Sequence, residues 1–498
     1  MGFFQSIQKP GFKAAQAKNS HIHQEVVKTT TDPRKTQSPT PFAQRLNNRP
    51  PHKNQAPKQN ATKATPSPRP RAQNPQKRAA STPQRFDSDS DDDDVSDHDL
   101  NIANKRVRRS SDPVPDLTRQ IRSRKAFSEE DGGKFSMVHA SDIATLSKPT
   151  AYKAAFPDDP QAIEVHLQYP SASQREKYEL VIPIKNDDFK SLEDIREVME
   201  TIINNYLPSA DAAAIENDST GLIRRLKRAV ERRAGHEYAD FVQEWNDTLV
   251  DFRKDGTISK AIDEWKGVDL KLLERILTQT YSRTVSPRVQ MLRQYQNGTD
   301  DVYGELLPKF VSIILKKDTK MKSDQIFVDL GSGVGNCVLQ AALEIGCESW
   351  GCEKMNNACD LAELQEQEFN ARCRLWGLSV GDIHLERGDF LKNPAILKVL
   401  QKADVILVNS QAFAPALSED LTNLFLDLKE GAKVVSLKSF VPHGNKISES
   451  NVHAAYNQLS VVKKTYYSAC VSWTDAPGAY FVSTKDSSMV KDFYEKRR

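Results

Sequence analysis

Long apolar stretches are missing from this sequence, and its first residues lack the apolar centre of a signal peptide. A helix that crosses a membrane needs a run of about 18 or more apolar residues. We therefore expect a soluble, non-secreted protein that has no membrane partner.

Cysteine is also scarce. The 498 residues include six cysteines, five of them between Cys337 and Cys373, and no two form a C-x-x-C pair. No histidine lies at a spacing typical of a metal site. These patterns predict reduced, partly buried thiols in an intracellular protein, and no metal centre.

Charge is unevenly distributed along the chain. Sixteen Lys and Arg stand against two acids before Asp87, Asp87–Asp99 contains eight Asp, and Leu100–Lys125 contains eight Lys and Arg against two acids. Since the whole chain is only +3, the remaining residues are net acidic. Any contact with a polyanion is therefore expected mainly from the N-terminal arm and not from the folded part.

Residues 1–135 are predicted to form a disordered arm, because large apolar residues are few and Pro, Ser, Gln, Lys and Arg are abundant. Its basic clusters favour salt-sensitive binding to DNA or simply keep the arm in solution. The acidic run Asp87–Asp99 fits either contact with a basic histone surface or solubilisation. Lys105–Arg109 resembles a nuclear-import cluster and predicts a nuclear protein, and Arg119–Lys125 would extend the polyanion contact.

Residues 136–300 are predicted to hold a small hairpin and a helical subdomain. Ala162–Leu167 and Tyr178–Ile184 have the β-branched and alternating residues of strands. Apolar residues then recur at helical spacing over Ser191–Tyr281, with Ser191 placed as a helix cap. We interpret these stripes as core that packs against a catalytic sheet.

Residues 301–498 are organised around one stretch, Ile326-Phe-Val-Asp-Leu-Gly-Ser-Gly-Val-Gly-Asn336. It has the pattern of a buried strand that turns sharply into a helix, and its three glycines allow a tight turn close to a ligand. Asn336 stands where a dinucleotide fingerprint needs its third glycine, which disfavours a pyrophosphate. Asp329 places a carboxylate at the turn, which favours a ligand that carries a cationic amine.

Strands and helices alternate after this turn, which predicts a mainly parallel sheet with helices on both faces. With antiparallel candidates at Val461–Tyr467, Ala469–Trp473 and Ala479–Thr484, seven strands are expected. Ligands of such sheets bind at the carboxyl ends of the strands. The residues expected there are Asp329, Glu353, Asp389, Phe390 and Asn409, and together they favour an S-adenosylmethionine site.

Several motifs resemble the disruptor-of-telomeric-silencing family of histone methyltransferases. They are Val302-Tyr-Gly-Glu305, Phe327-Val-Asp-Leu-Gly-Ser-Gly-Val-Gly335, Leu385-Glu-Arg-Gly-Asp-Phe390, Val408-Asn409 with Phe413, and Val471-Ser-Trp-Thr474. The resemblance covers roughly residues 189–492. The chain departs from the family at Asn409-Ser-Gln-Ala-Phe413, where the family has Asn-Asn-Phe-Ala-Phe. The basic arm suits the fungal members.

The resemblance implies an α/β fold: a seven-stranded, Rossmann-like S-adenosylmethionine-dependent methyltransferase fold, with an N-terminal helical subdomain and a long disordered basic arm. It implies methylation of a lysine in the globular core of histone H3 on nucleosomes, in chromatin regulation, telomeric silencing and the DNA damage response. The histone H4 tail and ubiquitinated H2B are further candidate contacts. The resemblance also implies a loop that covers the methionine end of the cofactor, formed by Tyr303, Gly304, Glu305 and Leu306, and a cofactor cradle formed by Phe327, Val328, Asp329, Leu330, Gly331, Ser332, Gly333, Val334, Gly335 and Asn336. Glu353 would contact the ribose, and Asp389 and Phe390 would contact the adenine. The channel for the substrate lysine would be lined by Asn409, Phe413, Trp473 and Tyr480.

Two other functions stay open at the level of sequence. A methyltransferase of another protein, an RNA or a small molecule would use the same fold, although an RNA enzyme would favour a Pro-Pro-Tyr type motif where this chain has Asn409-Ser-Gln-Ala. A non-catalytic chromatin-binding protein is disfavoured because the glycines and the acids of the site are all present. No side chain stands out as a dedicated base for the lysine.

Overall fold

The part of the chain described by a computed structural model comprises residue 116 and residues 118–128, 135–158, 162–294 and 304–497. Its strands are β1 (Tyr152–Ala154), β2 (Glu164–Leu167), β3 (Glu176–Glu179), β4 (Val181–Pro183), β5 (Ile326–Leu330), β6 (Glu348–Glu353), β7 (Ile383–Arg387), β8 (Val405–Val408), β9 (Lys433–Ser436), β10 (Leu459–Tyr466) and β11 (Gly478–Lys485).

The helices fall into two groups, one before and one among the strands of the main sheet. They are α1 (Arg124–Phe127), α2 (Ala140–Ile143), α3 (Ser191–Tyr206), α4 (Ser209–Ile215), α5 (Leu222–Glu231), α6 (Gly235–Lys254), α7 (Thr257–Glu264), α8 (Leu270–Thr284), α9 (Pro308–Ser312), α10 (Asn336–Glu344), α11 (Asn356–Leu375), α12 (Pro394–Leu400), α13 (Pro415–Leu424) and α14 (Ser488–Glu495). Shorter 3₁₀ segments lie at Ser286–Gln294, Phe425–Asp427 and Ala455–Gln458, and a π-helical turn lies at Ile313–Asp318.

The main sheet has seven strands in the order β10-β11-β9-β8-β5-β6-β7. Strands β5 to β9 are parallel to one another, and β10 and β11 add an antiparallel edge. The predicted α/β fold and its seven strands are confirmed. One predicted strand is wrong: Ala469–Trp473 forms a loop that makes only a single bridge, between Val471 and Leu306.

The sheet reverses its direction of growth at β5. The chain continues from β5 to β6 and β7 on one side, and it then crosses to β8 and β9 on the other side. At such a switch point the loops that leave the two central strands diverge and open a crevice at the carboxyl ends of the strands. This geometry places the turn after β5 and the loop after β8 on opposite sides of one opening.

Both faces of the sheet are buried. Phe327 of β5 packs on the face covered by α9 and the π-helical turn, whereas its neighbour Val328 packs on the face covered by α12 and α13. Because side chains alternate along a strand, a strand covered on both faces has apolar residues on both. The apolar run Ile326–Val328 at the start of β5 follows from this arrangement.

The helices before the sheet form a second apolar core, built from residues at helical spacing such as Ile195, Met199, Ile202 and Tyr206. The helical nature of this segment is confirmed. The predicted cap is wrong, because Lys190 is the N-cap and Ser191 is the first helical residue. The hydroxyl of Ser191 is buried and has no hydrogen-bond partner among the described residues.

The predicted hairpin is confirmed only in part. Strand β2 pairs with β3, which begins two residues earlier than predicted, so Val165 lies opposite Tyr178. The rest of the second predicted strand pairs elsewhere, as β4 with β1. Two small antiparallel ladders replace the single hairpin.

A buried ionic cluster joins these ladders to both groups of helices. Glu176 of β3 accepts hydrogen bonds from Arg283 of α8 at 2.9 Å and from Arg372 of α11 at 2.5 Å. All three side chains are fully buried. Burial alone would raise the pKa of Glu176, but the two guanidinium groups lower it to about 2. The cluster is therefore ionised. Asp194, 2.7 Å from Arg283, and Glu368, 2.6 Å from Arg372, supply the further carboxylates that balance the two guanidinium groups.

Residues 118–128, which we call the N-terminal strap, pack on the folded part. Arg119 donates hydrogen bonds to the carbonyl oxygens of Leu343 at 2.7 Å and Ser379 at 3.1 Å, and Ala126 is fully buried. The prediction that the disordered arm extends to residue 135 is therefore wrong for the strap. Two cations of the predicted second basic run, Arg119 and Arg122, are engaged within the protein, the latter with Asp263.

All six cysteines are buried, and none is in a disulfide. Burial raises the pKa of Cys373 and Cys337 strongly, so their thiols stay neutral at physiological pH. Among the helices that the structure describes, none combines the length and the hydropathy that a bilayer span requires.

Candidate active site

A cavity of about 240 Å³ opens at the carboxyl ends of β5, β6, β7 and β8. It lies at the switch point of the sheet, where the fold predicts a ligand site. Its lining comes from Gly304, Glu305, Leu306, Asp329, Gly331, Ser332, Gly333, Val334, Asn336, Cys337, Glu353, Lys354, Asp389, Phe390, Leu391, Leu407, Asn409, Phe413 and Leu417.

The floor of the cavity is the glycine turn between β5 and α10. Gly331, Gly333 and Gly335 all have positive φ, at 90°, 55° and 88°, a conformation that costs other residues free energy. A Cβ atom on Gly331 would meet no atom within 4 Å, so this residue faces open space. Gly335 is the N-cap of α10, and the first amides of that helix point towards the turn.

Two buried carboxylates stand beside the turn. Glu353, at the end of β6, accepts hydrogen bonds from the backbone nitrogens of Gly333 at 2.9 Å and Met355 at 2.7 Å. Burial raises the pKa of Asp329 to about 7, and the neighbouring negative charge of Glu353 adds to the effect. A cationic ligand would relieve both effects, because it would replace lost hydration and offset the repulsion.

The segment Gly304–Leu306 covers the cavity and is held by the loop between β10 and β11. The backbone nitrogen of Glu305 donates to Ser472 Oγ at 2.9 Å, and the nitrogen of Ser472 donates to the carbonyl oxygen of Glu305 at 2.9 Å. Trp473 lies so close to Gly304 that a Cβ there would meet its ring at 2.8 Å. Close packing of Trp473 on this segment thus requires glycine at 304.

Asn409 follows β8 and links that strand to the covering segment. Its Nδ2 donates to the carbonyl oxygen of Gly304 at 2.9 Å. Its Oδ1 is buried and has no hydrogen-bond partner within the described ranges. A buried acceptor at a cavity wall is stabilised by a donor on a ligand. Asn409 therefore offers an oriented oxygen to whatever enters beside it.

Aromatic rings line the opposite side. Phe390, after β7, and Phe413, after β8, are near parallel, with ring centroids 6.5 Å apart. Lys438 fixes the turn that carries Phe413, because its backbone nitrogen donates to Ser410 Oγ at 3.0 Å. Asp389 caps its own turn through Leu391. This wall combines flat apolar rings with a carboxylate and suits a planar heterocycle.

Comparison with known proteins agrees with this geometry. The family model for histone methylation protein DOT1 matches residues 281–485. The "Histone-lysine N-methyltransferase, H3 lysine-79 specific" of Aspergillus fumigatus is 48% identical over 99% of this chain and 99% of its own length. Proteins of the same name from Emericella nidulans and Gibberella zeae are 54% and 46% identical, over 78% and 80% of this chain and the same shares of their own lengths.

The chain belongs to this family. The resemblance found in the sequence motifs is thereby confirmed. In the segment Asn409–Phe413, Gln411 stands where the family pattern has its first aromatic residue. Gln411 is exposed and does not line the cavity, whereas Asn409 and Phe413 do. The substitution thus lies on the outer surface of the turn.

Most of the residues predicted for the site lie together at the cavity, but some do not line it. Phe327, Val328 and Leu330 are buried in the cores on the two faces of the sheet, so they support the turn without reaching the opening. Gly335 lies behind the turn, where a Cβ would meet Leu385 at 3.3 Å. Tyr303 lies outside the described residues.

Two residues predicted for the lysine channel are not in the lining of this cavity. Trp473 packs behind Gly304, and Tyr480 lies in the core with its ring against Phe310 and its hydroxyl donating to Asp318 at 2.6 Å. Their roles in the channel stay predictions.

Sequence reasoning missed Cys337, Lys354, Leu391, Leu407 and Leu417 as lining residues. Cys337, Lys354 and Leu391 directly follow predicted site residues, so the cue was available. Leu407 and Leu417 gave no cue, because their patterns are those of an ordinary strand and helix.

The lining fits S-adenosylmethionine, which carries a sulfonium and an amine. Glu305, Asp329, Glu353 and Asp389 bring four carboxyl groups to one cavity, against the single cation of Lys354. Such a lining disfavours a pyrophosphate and favours a cationic ligand with hydroxyl groups. The buried Nδ2 of Asn336, which has no partner among the described residues, adds a donor at the same wall.

Proposed function

We propose that this protein transfers methyl groups from S-adenosylmethionine to lysine 79 of histone H3 on the nucleosome. The observation that carries the proposal is the acidic cavity at the switch point, in a chain that matches H3 lysine-79 specific methyltransferases over nearly its whole length. A histone substrate and membership of this family imply that the protein acts on chromatin in the nucleus. Roles in telomeric silencing and in the DNA damage response belong to the same proposal.

The cofactor would lie across the carboxyl ends of β5, β6 and β7. Asp329 and the glycine turn would hold its amino-acid end, because the raised pKa of the Asp329 carboxyl favours a cation beside it. Glu353 would accept hydrogen bonds from the ribose hydroxyls, as the acid that ends the second strand does in related sheets. Asp389 and Phe390 would bind the adenine through a hydrogen bond and a ring contact.

The substrate lysine would reach the cavity beside Asn409. The sulfonium supplies an already activated methyl group, so the task of the protein is alignment and exclusion of water. Asn409 Oδ1, oriented by the Nδ2 bond to Gly304, would accept a hydrogen bond from the lysine amine. Phe413, with Trp473 and Tyr480, would form an apolar channel that favours the neutral amine by desolvation.

The covering segment would close the site from the side of the sheet that carries β10 and β11. The bonds between Glu305 and Ser472 tie it to a loop that also carries Trp473. Because one loop supports both the cofactor cover and a channel residue, binding of cofactor and of lysine should be coupled.

The division of labour along the chain is also a proposal. Residues 301–498 would carry the chemistry, and residues 136–300 would support the sheet. DNA contact by the basic clusters before residue 116, nuclear import by Lys105–Arg109, and any partner of Asp87–Asp99 concern residues outside the described ranges. The histone H4 tail and ubiquitinated H2B are proposed as further nucleosomal contacts.

The test is transfer of a radiolabelled methyl group by the full chain to four substrates in parallel. These are nucleosomes, nucleosomes in which H3 lysine 79 is replaced by arginine, free histone H3, and RNA. We expect label on H3 of the unmodified nucleosomes and none when lysine 79 is absent. Label on RNA, or equal label on both kinds of nucleosome, would refute the proposed substrate.

A matched pair of glycine variants tests the site. Gly331→Arg places a long cation in the open space at the turn, at a φ that only glycine adopts readily, and should abolish both cofactor binding and methylation. Gly267→Arg makes the same chemical change at an exposed glycine with no atom within 4 Å and should leave both unchanged. Normal methylation by Gly331→Arg would show that the cavity is not the cofactor site.

A further inference from the structure

Helix α5 and the turn after it are unusually basic. Between Leu222 and His236 the chain has six Lys and Arg against one acid, although the folded part as a whole is net acidic. We propose that this surface binds the phosphate backbone of duplex DNA. Five of the six cations make up the surface, which we call the basic face: Arg224, Lys227, Arg228, Arg232 and Arg233.

The basic face is opposite the packed side of the helix. Leu222, Ile223, Leu226 and Ala229 are buried and form part of the helical core. Lys227, Arg232 and Arg233 are exposed, and Arg224 and Arg228 are half-buried. The amphipathic pattern thus places apolar residues on one side and mainly cations on the other, where exposed Val230 and Glu231 are exceptions.

Most of these cations have no partner within the protein. Among the described residues, Arg224, Lys227, Arg232 and Arg233 make no ion pair and no side-chain hydrogen bond. The sixth cation of the run is different: Arg225 pairs with Glu244 at 2.6 Å and lies 4.3 Å from the ring centroid of Phe241. Arg225 therefore has a structural role, which the other four lack.

Helix stability does not account for the cluster. Cations are favourable at the C-terminal end of a helix, but α5 has no acid in its first turn and carries Arg224 there, where the helix dipole opposes a cation. Arg224, Arg228 and Arg232 follow one another at four-residue intervals, and like charges at this spacing repel. An external anion would relieve this repulsion.

Arg233 supplies a second, independent observation. It has φ of 58° and follows the helix in a closing turn, in which Ala234 donates to the carbonyl oxygen of Ala229 at 2.9 Å and Arg233 to that of Val230 at 3.1 Å. Glycine usually occupies this position because it adopts a positive φ without strain. An arginine here is conformationally unfavourable, which points to a role for its charge.

Duplex DNA fits the length of the face. Arg224 and Arg232 are separated by about 12 Å along the helix axis. Over that length one strand of DNA carries roughly three to four phosphates. The inference rests on the proposed function only in that a nucleosomal substrate brings DNA next to the enzyme.

The experiment measures binding of the full chain to a fluorescent 30-base-pair duplex by anisotropy, over a series of salt concentrations. The variant combines Lys227→Gln, Arg232→Gln and Arg233→Gly, and the matched control combines Lys260→Gln, Lys398→Gln and Lys402→Gln, three exposed cations outside the basic face. Each set removes three charges. The first should weaken binding at least tenfold and reduce the slope of log affinity against log salt by about 2 to 3, relative to the control.

Arg233→Gly alone separates a DNA contact from a structural role. Glycine fits the turn, so the melting temperature should stay the same or rise while DNA affinity falls. The affinity of the triple variant for S-adenosylmethionine should equal that of wild type, so a failure of this inference is distinct from a failure of the proposed enzyme activity. The inference would be overturned if the two triple variants had equal DNA affinity and equal salt slope. It would also be overturned if the variant of the basic face lost binding to anionic lipid vesicles but bound DNA as wild type does.

Discussion

Asn409 donates a hydrogen bond through Nδ2 to the carbonyl oxygen of Gly304, and this 2.9 Å contact joins the end of β8 to the segment that covers the cavity. The bond also fixes which way the amide points, because only Nδ2 can donate. Oδ1 is thereby turned to the side where it has no partner among the described residues. One contact thus sets both the position of the cover and the direction of a free acceptor.

Replacing Asn409 with alanine removes both features. We expect the rate of methyl transfer to nucleosomes to fall by about 100-fold or more, because one oriented polar group at a reacting centre typically contributes this much. Cofactor affinity should fall much less, since Asp329, Glu353 and the glycine turn remain. Single-turnover methylation and calorimetric titration with cofactor measure the two effects separately.

The control for this variant is Asn423→Ala, on the exposed side of α13. It should behave as wild type in both assays. Asn409→Asp is also informative, because it keeps the acceptor but loses the donor to Gly304. A normal single-turnover rate in Asn409→Asp would show that the link to the covering segment is dispensable.

Cofactor binding should depend on pH through Asp329, whose pKa burial and Glu353 raise to about 7. Below this value the carboxyl is protonated in the free enzyme, and a cationic ligand must displace the proton before it binds well. Affinity should therefore rise as pH increases through 7 and level off above it. Between about pH 6 and pH 8 the dissociation constant should fall by roughly tenfold.

Asp329→Asn is the matching variant, because it retains the shape but cannot ionise. Its affinity for cofactor should be lower, and its profile over the same pH range should be nearly flat. If wild-type affinity is the same at both ends of the range, Asp329 does not face the positive charge of the ligand.

Glu176 should be essential for stability, because it compensates two buried arginines. Glu176→Ala removes the carboxylate that bridges Arg283 and Arg372 and leaves each arginine with only its second partner, Asp194 or Glu368. This loss should lower the free energy of unfolding by about 3–5 kcal/mol. Denaturant unfolding at neutral pH measures this, with exposed Glu264→Ala as the control. A loss below about 1 kcal/mol would mean that water or other groups take over the role of Glu176.

The same cluster predicts acid sensitivity. The pKa of Glu176 is lowered from 4.5 to about 2, so its stabilisation is complete above pH 4.5 and is lost as pH falls towards 2. Wild-type stability should therefore decline over this window, and the decline should be smaller in Glu176→Gln.

The strap can be tested by two truncations. A chain that starts at residue 116 keeps the contacts of Arg119 and Ala126, whereas a chain that starts at residue 129 loses them. The second should melt a few degrees below the first, since it exposes apolar surface and leaves the Leu343 carbonyl without its partner. Equal melting temperatures would show that the strap contributes nothing. Relative to the full chain, the first should bind nucleosomes more weakly and with less dependence on salt.

The sequence was sufficient to predict the sheet and the acids at its edge, because both follow from local patterns. Asp329, Glu353, Asp389 and Asn409 each lie at or just after the end of a strand, and parallel strands bring their carboxyl ends together regardless of how far apart they lie in the chain. The depth of the cavity and the partners of its walls were not predictable in this way. The bond from Asn409 to Gly304 joins residues 105 positions apart.

Two predictions were wrong because a local sequence pattern does not contain the packing contacts of the folded chain. The composition of the strap is basic and polar, like that of the arm, yet Arg119 is held by carbonyl oxygens more than 200 residues away. Ser191 is a favourable capping residue by type, but packing places it inside the helix. The net charge of the folded part does not reveal the basic face of α5, because acids elsewhere in the folded part offset its cations.

The ionic cluster around Glu176 has a practical consequence for anyone who wishes to isolate the catalytic sheet. A fragment cut at residue 301 would retain Arg372, near the end of α11, together with its neighbour Glu368. It would lose Glu176 of β3 and the rings of Tyr169 and Tyr206 that pack against Trp376. Such a fragment would expose a broken ionic cluster and a newly opened apolar wall to water and should aggregate when expressed. A fragment that keeps the sheet soluble should therefore begin before Glu176, about 150 residues ahead of the glycine turn.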